Sequence, residues 1–215
     1  MQARNLFFIA GLVIASMCVT NAQSMEDIFN RKTKITWLGL DFSRAKFIGD
    51  RERLGSTSDV QKLMEAWNDL MINERSKFDV GGAIDKIKVE EALEVTKEHN
   101  ANLDPTEMFS NDVKDYLRFR PDDIIAIAND YDFKGLSGIG VMFNVESFSK
   151  LNEEGSVWVT FVNMSTKEVF FSERMTAKPS GFGMRNYWAG CIYGVLKSMG
   201  KKEFEMWRKK YYRKF

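Results

Sequence analysis

The chain has 215 residues, of which 44% are hydrophobic and 28% are charged. This composition predicts a folded domain with a sizeable core and excludes an intrinsically disordered chain. The formal net charge is only +1 at pH 7, so the overall charge indicates neither a nucleic acid nor any other strongly charged partner.

The first 22 residues have the order of a secretory signal peptide. Arg4 supplies the positive charge, residues 6–19 form an apolar run, and short side chains precede a cleavage site after Ala22. The apolar run falls short of the ~20 residues that a membrane-spanning helix needs. We therefore predict an exported protein, periplasmic or secreted, with an uncleaved anchor as the alternative.

The two cysteines, Cys18 and Cys191, bear on export in different ways. A lipoprotein would keep a lipidated cysteine after its apolar run, but Met17 stands where a small residue is expected, so we expect no lipid anchor. Cleavage after Ala22 would leave Cys191 as the only thiol and a net charge of zero. The mature protein would then contain no intrachain disulfide.

A buried strand followed by an amphipathic helix is predicted in the first half of the chain. Residues 35–42 (ITWLGLDF) are apolar on both alternating faces, as in a central strand. Residues 43–56 mix charge with glycine and predict a loop, and a helix is expected to begin at Ser58 with Gln61 as its capping-box partner. The apolar face of this helix consists of Val60, Leu63, Met64, Trp67, Leu70 and Met71.

The middle of the chain gives a weaker signal. Residues 78–100 fit neither the helical nor the strand period. Residues 100–120 are mostly polar and contain Pro105, which predicts a loop with room for one short helix. Pro121 and the two aspartates after it are typical of a first helical turn, so a short helix is expected through Tyr131.

The last third of the chain predicts three strands and a helix. Residues 139–146 alternate as a strand with one apolar face, and residues 157–162 are apolar on both faces, which indicates a strand covered on both sides. A short turn at residues 165–167 leads into a strand at residues 169–175. The apolar face of the following helix consists of Trp188, Cys191, Ile192, Val195, Leu196 and Met199.

Three segments carry a family resemblance: ITWLGLDF as a first strand, residues 77–80 (KFDV) as a short second strand, and VWVTFVNMSTKEVFFSERM as a hairpin. Their order resembles the small periplasmic α/β domains related to anticodon-binding domains, such as the amino-terminal domain of TolB, CsgG and LpoB. The chain also looks like a group of exported proteins with a GFGxRNYWA segment. The resemblance, which spans about residues 34–199, implies an α/β (α+β) fold in which helices flank a single mixed sheet. The length of the chain after residue 22 suits one domain, which we place at residues 23–200, with residues 201–215 as an extension. The loop at residues 100–120 and the missing lipidation signal depart from the lipoprotein members.

No residue stands out as catalytic, and no cofactor is indicated. His99 is the only histidine and lies in a polar stretch, which favours an ordinary solvated side chain. Cys191 lies on an apolar helix face, where a thiol is normally inert. Residues 130–135 (DYDFKG) begin like a calcium loop, but Lys134 occupies a ligand position and Val141 the closing position, so we expect a turn and no metal site.

Two regions are candidates for binding an anion or a small ligand. Backbone amides before the last helix could hold phosphate or carboxylate, and the candidate residues there are Gly181, Gly183, Arg185 and Asn186. The alternative is a tight turn in which Asn186 caps the helix. Asp41 and Arg44 lie where the first strand ends, an edge at which open α/β sheets often bind ligands. The sequence holds no Walker or dinucleotide-binding motif.

The end of the chain is basic and aromatic. Residues 201–215 carry seven basic and two acidic side chains, and their aromatic residues are spaced as on one helix face. Such a tail could bind an anionic membrane, an acidic partner or nucleic acid, although no motif for specific nucleic-acid recognition is present. The candidate contacts are Lys201, Lys202, Phe204, Trp207, Arg208 and Tyr211. The alternative is a helix whose aromatic residues dock on the acidic body.

These patterns favour a structural or interaction module of the cell envelope that binds envelope proteins and has no enzymatic activity. The alternative is a small-ligand or anion-binding protein, or an enzyme that uses the regions around Asp41 or Gly183. Association with an anionic membrane through the tail is a third hypothesis.

Overall fold

The computed structural model describes residues 23–54 and 56–212. The expected signal peptide, Cys18 and the last three residues of the tail lie outside the described residues. Within the described part, no helix combines the length and the apolar character that crossing a membrane requires.

The described chain begins with a short helix and ends with a long helical segment. The helices are α1 (Met25–Phe29), α2 (Arg51–Leu54), α3 (Thr57–Asn73), α4 (Val80–Ala83), α5 (Glu94–Ala101), α6 (Pro121–Asp130), α7 (Met184–Ser198) and α8 (Phe204–Tyr211). The strands are β1 (Ile35–Asp41), β2 (Lys46–Ile48), β3 (Val89–Glu91), β4 (Phe109–Ser110), β5 (Ile139–Ser149), β6 (Glu154–Asn163) and β7 (Val169–Ala177). A π-helical turn, Met199–Glu203, joins α7 to α8, and 3₁₀ turns cover Pro105–Met108 and Val113–Asp115.

The described strands form one seven-stranded mixed sheet built around β5. β1 and β2 lie end to end along one side of β5 and parallel to it, since Ile35 pairs with Ile139 and Lys46 with Ser147. β3 pairs with the outer side of β1, and β4 pairs with the outer side of β2, both in parallel. On the other side, β6 is antiparallel to β5, and β7 is antiparallel to β6. The predicted α/β class, a single mixed sheet flanked by helices, is confirmed.

Helices cover both faces of the sheet and create two hydrophobic clusters. The larger cluster includes residues of α1, α3, α4, α7 and α8, whereas the smaller cluster includes residues of α5 and α6. Side chains of the central strands alternate between the two: Phe143 and Val159 belong to the larger cluster, Met142 and Trp158 to the smaller. The domain therefore has a core on each side of one sheet.

β1 extends beyond the end of β3, so one side of its second half lacks a neighbouring strand. Buried side chains of α3 and α5 take the place of that strand. Asn68 accepts a hydrogen bond from Leu40 N at 2.8 Å and donates one to Leu40 O at 3.0 Å. Thr96 donates to Leu38 O at 2.6 Å, and Asn100 donates to Leu40 O at 2.8 Å. These bonds satisfy backbone groups that would otherwise be buried without partners.

Several short elements were not predicted from the sequence. The expected loop at residues 43–56 contains β2 and α2, and the expected loop at residues 100–120 contains β4. The predicted strand at residues 77–80 is wrong, because Asp79 instead caps α4 by accepting a 2.8 Å hydrogen bond from Gly82 N. Elements of two to four residues are too short to show a hydrophobic period.

Helix α3 has its N-cap two residues earlier than predicted. Its first residue is Thr57, and Ser56 caps it by accepting a hydrogen bond from Asp59 N at 3.2 Å. The capping-box partner is therefore Asp59 rather than Gln61, since the Asp59 carboxylate also accepts from Ser56 N at 3.0 Å. The predicted apolar face is confirmed: all six residues lie in the larger cluster or pack against it.

The longest predicted elements agree with the structure. β1 is buried at every position, α6 begins at Pro121, and the predicted face of α7 is buried throughout. β5 alternates as predicted over residues 139–146 and continues to Ser149. Every residue of β5 is buried, including Asn144 and Glu146 on its polar face.

Candidate functional site

Asp41 lies at the carboxyl end of β1, but its carboxylate is buried and engaged by protein groups. Oδ1 accepts hydrogen bonds from Tyr131 Oη at 2.7 Å and Ser43 Oγ at 2.6 Å, and Oδ2 accepts one from Asn144 Nδ2 at 2.9 Å. Asn144 Oδ1 in turn accepts from Thr160 Oγ1 at 2.6 Å. Burial and the nearby Asp41 charge raise the pKa of Tyr131 well above its usual value, so the phenol keeps its donated proton. This Asp41 network ties three strands to the end of α6.

Glu146 is the second buried carboxylate, with a side chain that is 0% exposed. Oε2 accepts hydrogen bonds from Ser156 Oγ at 2.7 Å, Arg174 Nε at 2.9 Å and Trp158 Nε1 at 3.2 Å. Oε1 accepts from Arg174 Nη2 at 3.1 Å and from the backbone N–H of Phe119. A buried charge with this many donors is compensated, and the Glu146 cluster fastens the segment before α6 to β5, β6 and β7.

The sequence pattern pointed to Asp41 but not to Glu146, because the alternation of β5 did not indicate that its polar positions are buried. Polar residues also stand at alternate positions of the neighbouring strands, among them Ser156, Thr160 and Arg174. Periodicity alone does not separate a solvated polar face from a covered one. The sequence feature that could have indicated a covered polar face is the matching row of polar residues on three strands, which includes one glutamate and one arginine.

Arg44 does not join Asp41 in a common site. Its guanidinium lies 3.3 Å from the Asp130 carboxylate and 3.8 Å from that of Asp123. A cavity of about 360 Å³ lies beside it, lined also by Lys46 and Arg118. Lys46 donates to a backbone carbonyl, and Arg118 donates to the carbonyl of Arg44. Protein groups therefore already engage the cationic side chains at this edge.

The glycine turn before α7 packs against its own helix. Gly181 has a φ of +115° and Gly183 a φ of +77°, in the region that favours glycine. A Cβ on Gly190 would lie only 2.3 Å from Ser180 O, so glycine there lets the turn approach the helix. Ser180 N donates to Tyr187 O at 3.0 Å. The turn therefore packs directly on the first turns of α7.

The candidate anion-binding residues lie around the start of α7 but do not form a closed site. Gly183 is the N-cap and Met184 the first helical residue, so the prediction that Asn186 caps the helix is wrong. Arg185 Nε contacts Asn186 Oδ1 at 3.3 Å, and both side chains are exposed. The backbone carbonyl of Arg185 accepts from Trp67 Nε1 at 2.8 Å, which ties α7 to α3. The helix start is then the remaining anion-binding element, and it gives no specific site by itself.

Phe182 projects from this turn and is 95% exposed. The turn between β5 and β6 lies against the start of α7, because Lys150 Nζ is 3.5 Å from the centre of the Tyr187 ring. Tyr116 brings a third segment to the same end, since its carbonyl accepts from Ser147 Oγ at 2.7 Å. Exposed apolar residues at this end of the sheet are Val113, Leu117, Leu151 and Phe182. We name this set the apolar end.

The aromatic residues of the tail dock on the body of the domain. Phe204 and Trp207 are buried in the larger cluster. Tyr211 stacks on Phe171 with 4.4 Å between ring centres and donates to Glu173 at 2.7 Å. Up to Tyr212, the last described residue, the tail is therefore a helix docked on the body of the domain, as in the second of the two predicted alternatives. Its aromatic side chains face the domain and are not presented to a membrane.

The basic residues of the tail divide between paired and exposed positions. Arg208 lies 3.2 Å from Asp85 and 2.6 Å from Glu205. Lys201 and Lys202 are exposed, and Lys202 lies 3.1 Å from Glu203. Of the predicted tail contacts, these two lysines are the ones whose side chains remain fully at the surface.

The remaining candidate residues are structural. His99 is half-buried and stacks on Tyr131 with 4.4 Å between ring centres, so it is less solvated than predicted. Cys191 is fully buried, and burial raises the pKa of its thiol to about 12, which keeps it protonated and inert. Residues 130–135 form the predicted helix-to-strand turn. Across residues 23–54 and 56–212, no three His, Cys, Asp or Glu side chains are placed to hold a metal ion.

Comparisons with known proteins add little. No protein-family model and no curated protein sequence matches the chain. Among solved structures, the chain is similar to the LpoB C-terminal domain from Salmonella enterica, with 11% sequence identity and a TM-score of 0.26. The match covers 67% of this chain and 82% of that chain. At this sequence identity and TM-score, the similarity indicates only a weak relationship in fold and supports no conclusion about activity or partners.

Proposed function

We propose that the protein is an exported, non-catalytic interaction module of the cell envelope, and that it binds a partner protein through the apolar end. The observation that carries the proposal is Phe182, a large aromatic side chain that is 95% exposed on the glycine turn before α7. Aromatic residues of this kind often supply a large share of the binding energy at protein interfaces.

The construction of the turn supports this role. The bond from Ser180 N to Tyr187 O and the close approach at Gly190 fix the turn on α7. At Gly181, a Cβ would lie 3.0 Å from Asn186 O, so even this position is sterically constrained. A side chain presented on a rigid support loses little conformational freedom on binding, which favours affinity.

Exposed apolar residues on other segments at this end of the sheet would extend the contact surface beyond Phe182. Leu151 is 57% exposed in the turn between β5 and β6, and Val113 and Leu117 are exposed beside β4. Exposed charged residues of both signs lie close to them in sequence, including Lys178 and Glu153. An apolar centre with a mixed polar rim is the usual composition of a protein interface.

Catalysis has less support, because the carboxylates that could act as a general acid or base already bind other groups of the protein. Asp41 and Glu146 are buried and accept hydrogen bonds from the protein itself. The half-buried His99 stacks on Tyr131, and Cys191 is sealed in the larger cluster. Each of these groups is therefore engaged by protein neighbours, whereas an acid–base or nucleophilic mechanism requires accessible reactive groups.

Capture from envelope extracts tests the proposal directly. Tagged wild-type protein, the Phe182→Ser variant and the matched control Met206→Ser would be compared, since Met206 is also exposed but lies on α8. We expect a protein that the wild type and Met206→Ser retain, and that Phe182→Ser binds at least about tenfold more weakly. Melting temperatures of all three should agree, because neither side chain contributes to the core.

Two results would contradict the proposal. Equal retention of every captured protein by Phe182→Ser and wild type would exclude the turn as the binding element. Loss of retention in both variants would show that the effect does not belong to the apolar end.

A further inference from the structure

The solvent side of the C-terminal helical segment is a basic surface. α7 continues through the π-helical turn into α8, so the segment is helical without interruption. Residues 197–210 carry six basic and two acidic side chains. Four of the basic residues are exposed lysines, which we name the basic strip: Lys197, Lys201, Lys202 and Lys209. The strip belongs to a different part of the chain from the apolar end.

Core packing determines which side of α8 faces solvent. Phe204 and Trp207 are buried in the larger cluster. Lys209 follows Phe204 by five residues and Trp207 by two, which at about 100° per residue places it on the opposite side of the helix. The contacts that dock the aromatic side chains on the domain therefore also direct the basic strip towards solvent.

Most of the positive charge of the basic strip is not balanced by a neighbouring carboxylate. Among the ion pairs of the described residues, none involves Lys197, Lys201 or Lys209, whereas Lys202 lies 3.1 Å from Glu203. The two remaining basic side chains of residues 197–210 do form ion pairs with acidic residues. The strip is consequently free to attract an external negative charge.

The cavity that borders the basic strip does not suit a small anion. It has a volume of about 240 Å³, and its lining contains two lysines of the strip but also Asp85 and Glu205. These two carboxylates lie 3.2 and 2.6 Å from the Arg208 guanidinium and would repel an anion. The exposed amines are distributed along the outside of a helix, which fits an extended anionic surface better than a single ion.

Met206 adds an apolar side chain to the basic surface. It is 54% exposed, four residues after Lys202 and three before Lys209, so it shares one side of the helix with both lysines. At a membrane, an apolar side chain enters the interfacial layer while lysine amines contact the headgroups. The combination of lysines with an exposed methionine therefore favours a lipid surface over a purely acidic polypeptide.

We propose that the basic strip binds an anionic lipid surface, while the aromatic side of the helix remains docked on the domain. The strip extends over residues 197–209, or about 18 Å along the helix, and each lysine close to such a surface adds to the attraction. The membrane hypothesis raised by the tail sequence thus concerns its lysines rather than its aromatic residues. The interaction is independent of the proposed binding of a protein at the apolar end.

Vesicle sedimentation tests the proposal. The bound fraction would be measured on vesicles of equal parts phosphatidylglycerol and phosphatidylcholine, and on pure phosphatidylcholine vesicles, at ~50 mM and ~500 mM salt. Wild type is compared with a strip variant that carries Lys201→Gln, Lys202→Gln and Lys209→Gln. The matched control removes the same charge from exposed lysines outside α7 and α8, with Lys32→Gln, Lys62→Gln and Lys114→Gln.

We expect wild type to bind the anionic vesicles at low salt and to be released at high salt, because salt screens exposed charges. The strip variant should bind about 100-fold more weakly, and the control should stay within about threefold of wild type. Neither set of substitutions touches the core, so the melting temperatures should agree with that of wild type.

Four results would overturn the proposal. The first is equal binding of the strip variant and the control to anionic vesicles, and the second is wild-type protein that binds phosphatidylcholine vesicles equally well or binds neither kind. The third is binding of a labelled decaglutamate peptide through the strip lysines without any vesicle binding, which would indicate an acidic polypeptide. The fourth is vesicle binding that Phe182→Ser abolishes and the strip variant retains, which would assign it to the apolar end.

Discussion

Glu146 and Asp41 show how single residues can place carboxylates at the centre of a sheet when the fold supplies their hydrogen-bond donors. Each carboxylate accepts hydrogen bonds from side chains of several elements, and Glu146 also receives a guanidinium. Breaking such a group by removing one partner leaves the others buried and unsatisfied. Each of these buried carboxylates therefore contributes more to the free energy of unfolding than an exposed carboxylate does.

We expect Glu146→Ala to lower the free energy of unfolding by about 3–5 kcal/mol. The change would leave Trp158 Nε1 without its acceptor, and Arg174, which is 29% exposed, would keep only its bond to the carbonyl of Phe119. Urea denaturation measures the difference, with the exposed Glu168→Ala as a control that should change stability by less than about 0.5 kcal/mol. Equal midpoints for the two variants would contradict a structural role for Glu146.

Lys86 should make stability depend on pH in the alkaline range. Burial lowers its pKa from 10.5 to about 8, and a neutral amine still has two N–H groups for the carbonyls of Asp27 and Asn30. Between pH 8 and 10.5 the unfolded chain holds a proton that the folded chain has released. The free energy of unfolding contributed by Lys86 therefore rises as pH increases through this window.

Comparison with Lys86→Met isolates that contribution, because methionine does not titrate. We expect wild type to gain about 1–3 kcal/mol relative to Lys86→Met between pH 7.5 and pH 10. Chemical denaturation at several pH values provides the measurement. Parallel pH profiles for the two proteins would show that the lysine is not perturbed.

At the scale of elements, the C-terminal helical segment is part of the domain rather than an arm. α7 continues through the π-helical turn into α8, whose apolar side faces the larger cluster. The one-turn irregularity lets the segment keep an apolar face towards the sheet while its basic side chains face solvent. The basic residues of the tail thus lie over a domain that has more acidic than basic residues. Two ion pairs connect them, Arg208 with Asp85 and Lys210 with Glu173.

Trp207→Ala should destabilise the protein by about 3–5 kcal/mol, because the indole is 5% exposed among aromatic side chains of the core. Truncation after Gly200 removes Phe204 as well and should prevent stable folding. Denaturation followed by far-UV circular dichroism compares Trp207→Ala with Met206→Ala, whose side chain is exposed. A truncated protein with wild-type stability would mean that the docked arrangement contributes nothing.

Long elements were predictable because each shows many repeats of its period. The faces of α3 and α7 follow from six apolar positions each, and β1 follows from a continuous apolar run. The short strands β2, β3 and β4 are fixed by tertiary pairing with neighbours distant in sequence, so no local pattern identifies them. The same limit applies to the candidate sites, since Phe182 is apolar by sequence and only its turn reveals its exposure.

At the scale of the whole molecule, the two hydrophobic clusters should unfold as one. β5 and β6 lie between the clusters and contribute side chains to both. The Asp41 network further connects β1, β5 and β6 to the end of α6. If one cluster lost its packing, it would expose one face of the strands whose other face supports the second cluster. This coupling is the basis of a cooperative two-state transition.

Ile127→Ala tests this coupling, because it removes atoms from the smaller cluster only. Four of the tryptophans, Trp37, Trp67, Trp188 and Trp207, lie in the larger cluster, so fluorescence reports mainly on the opposite face. We expect a destabilisation of about 2–5 kcal/mol, which lowers the melting temperature by ~4–15 °C. Fluorescence and far-UV circular dichroism should give the same lowered midpoint. If the fluorescence midpoint stayed at the wild-type value while the dichroism changed earlier, the two layers would be separate folding units.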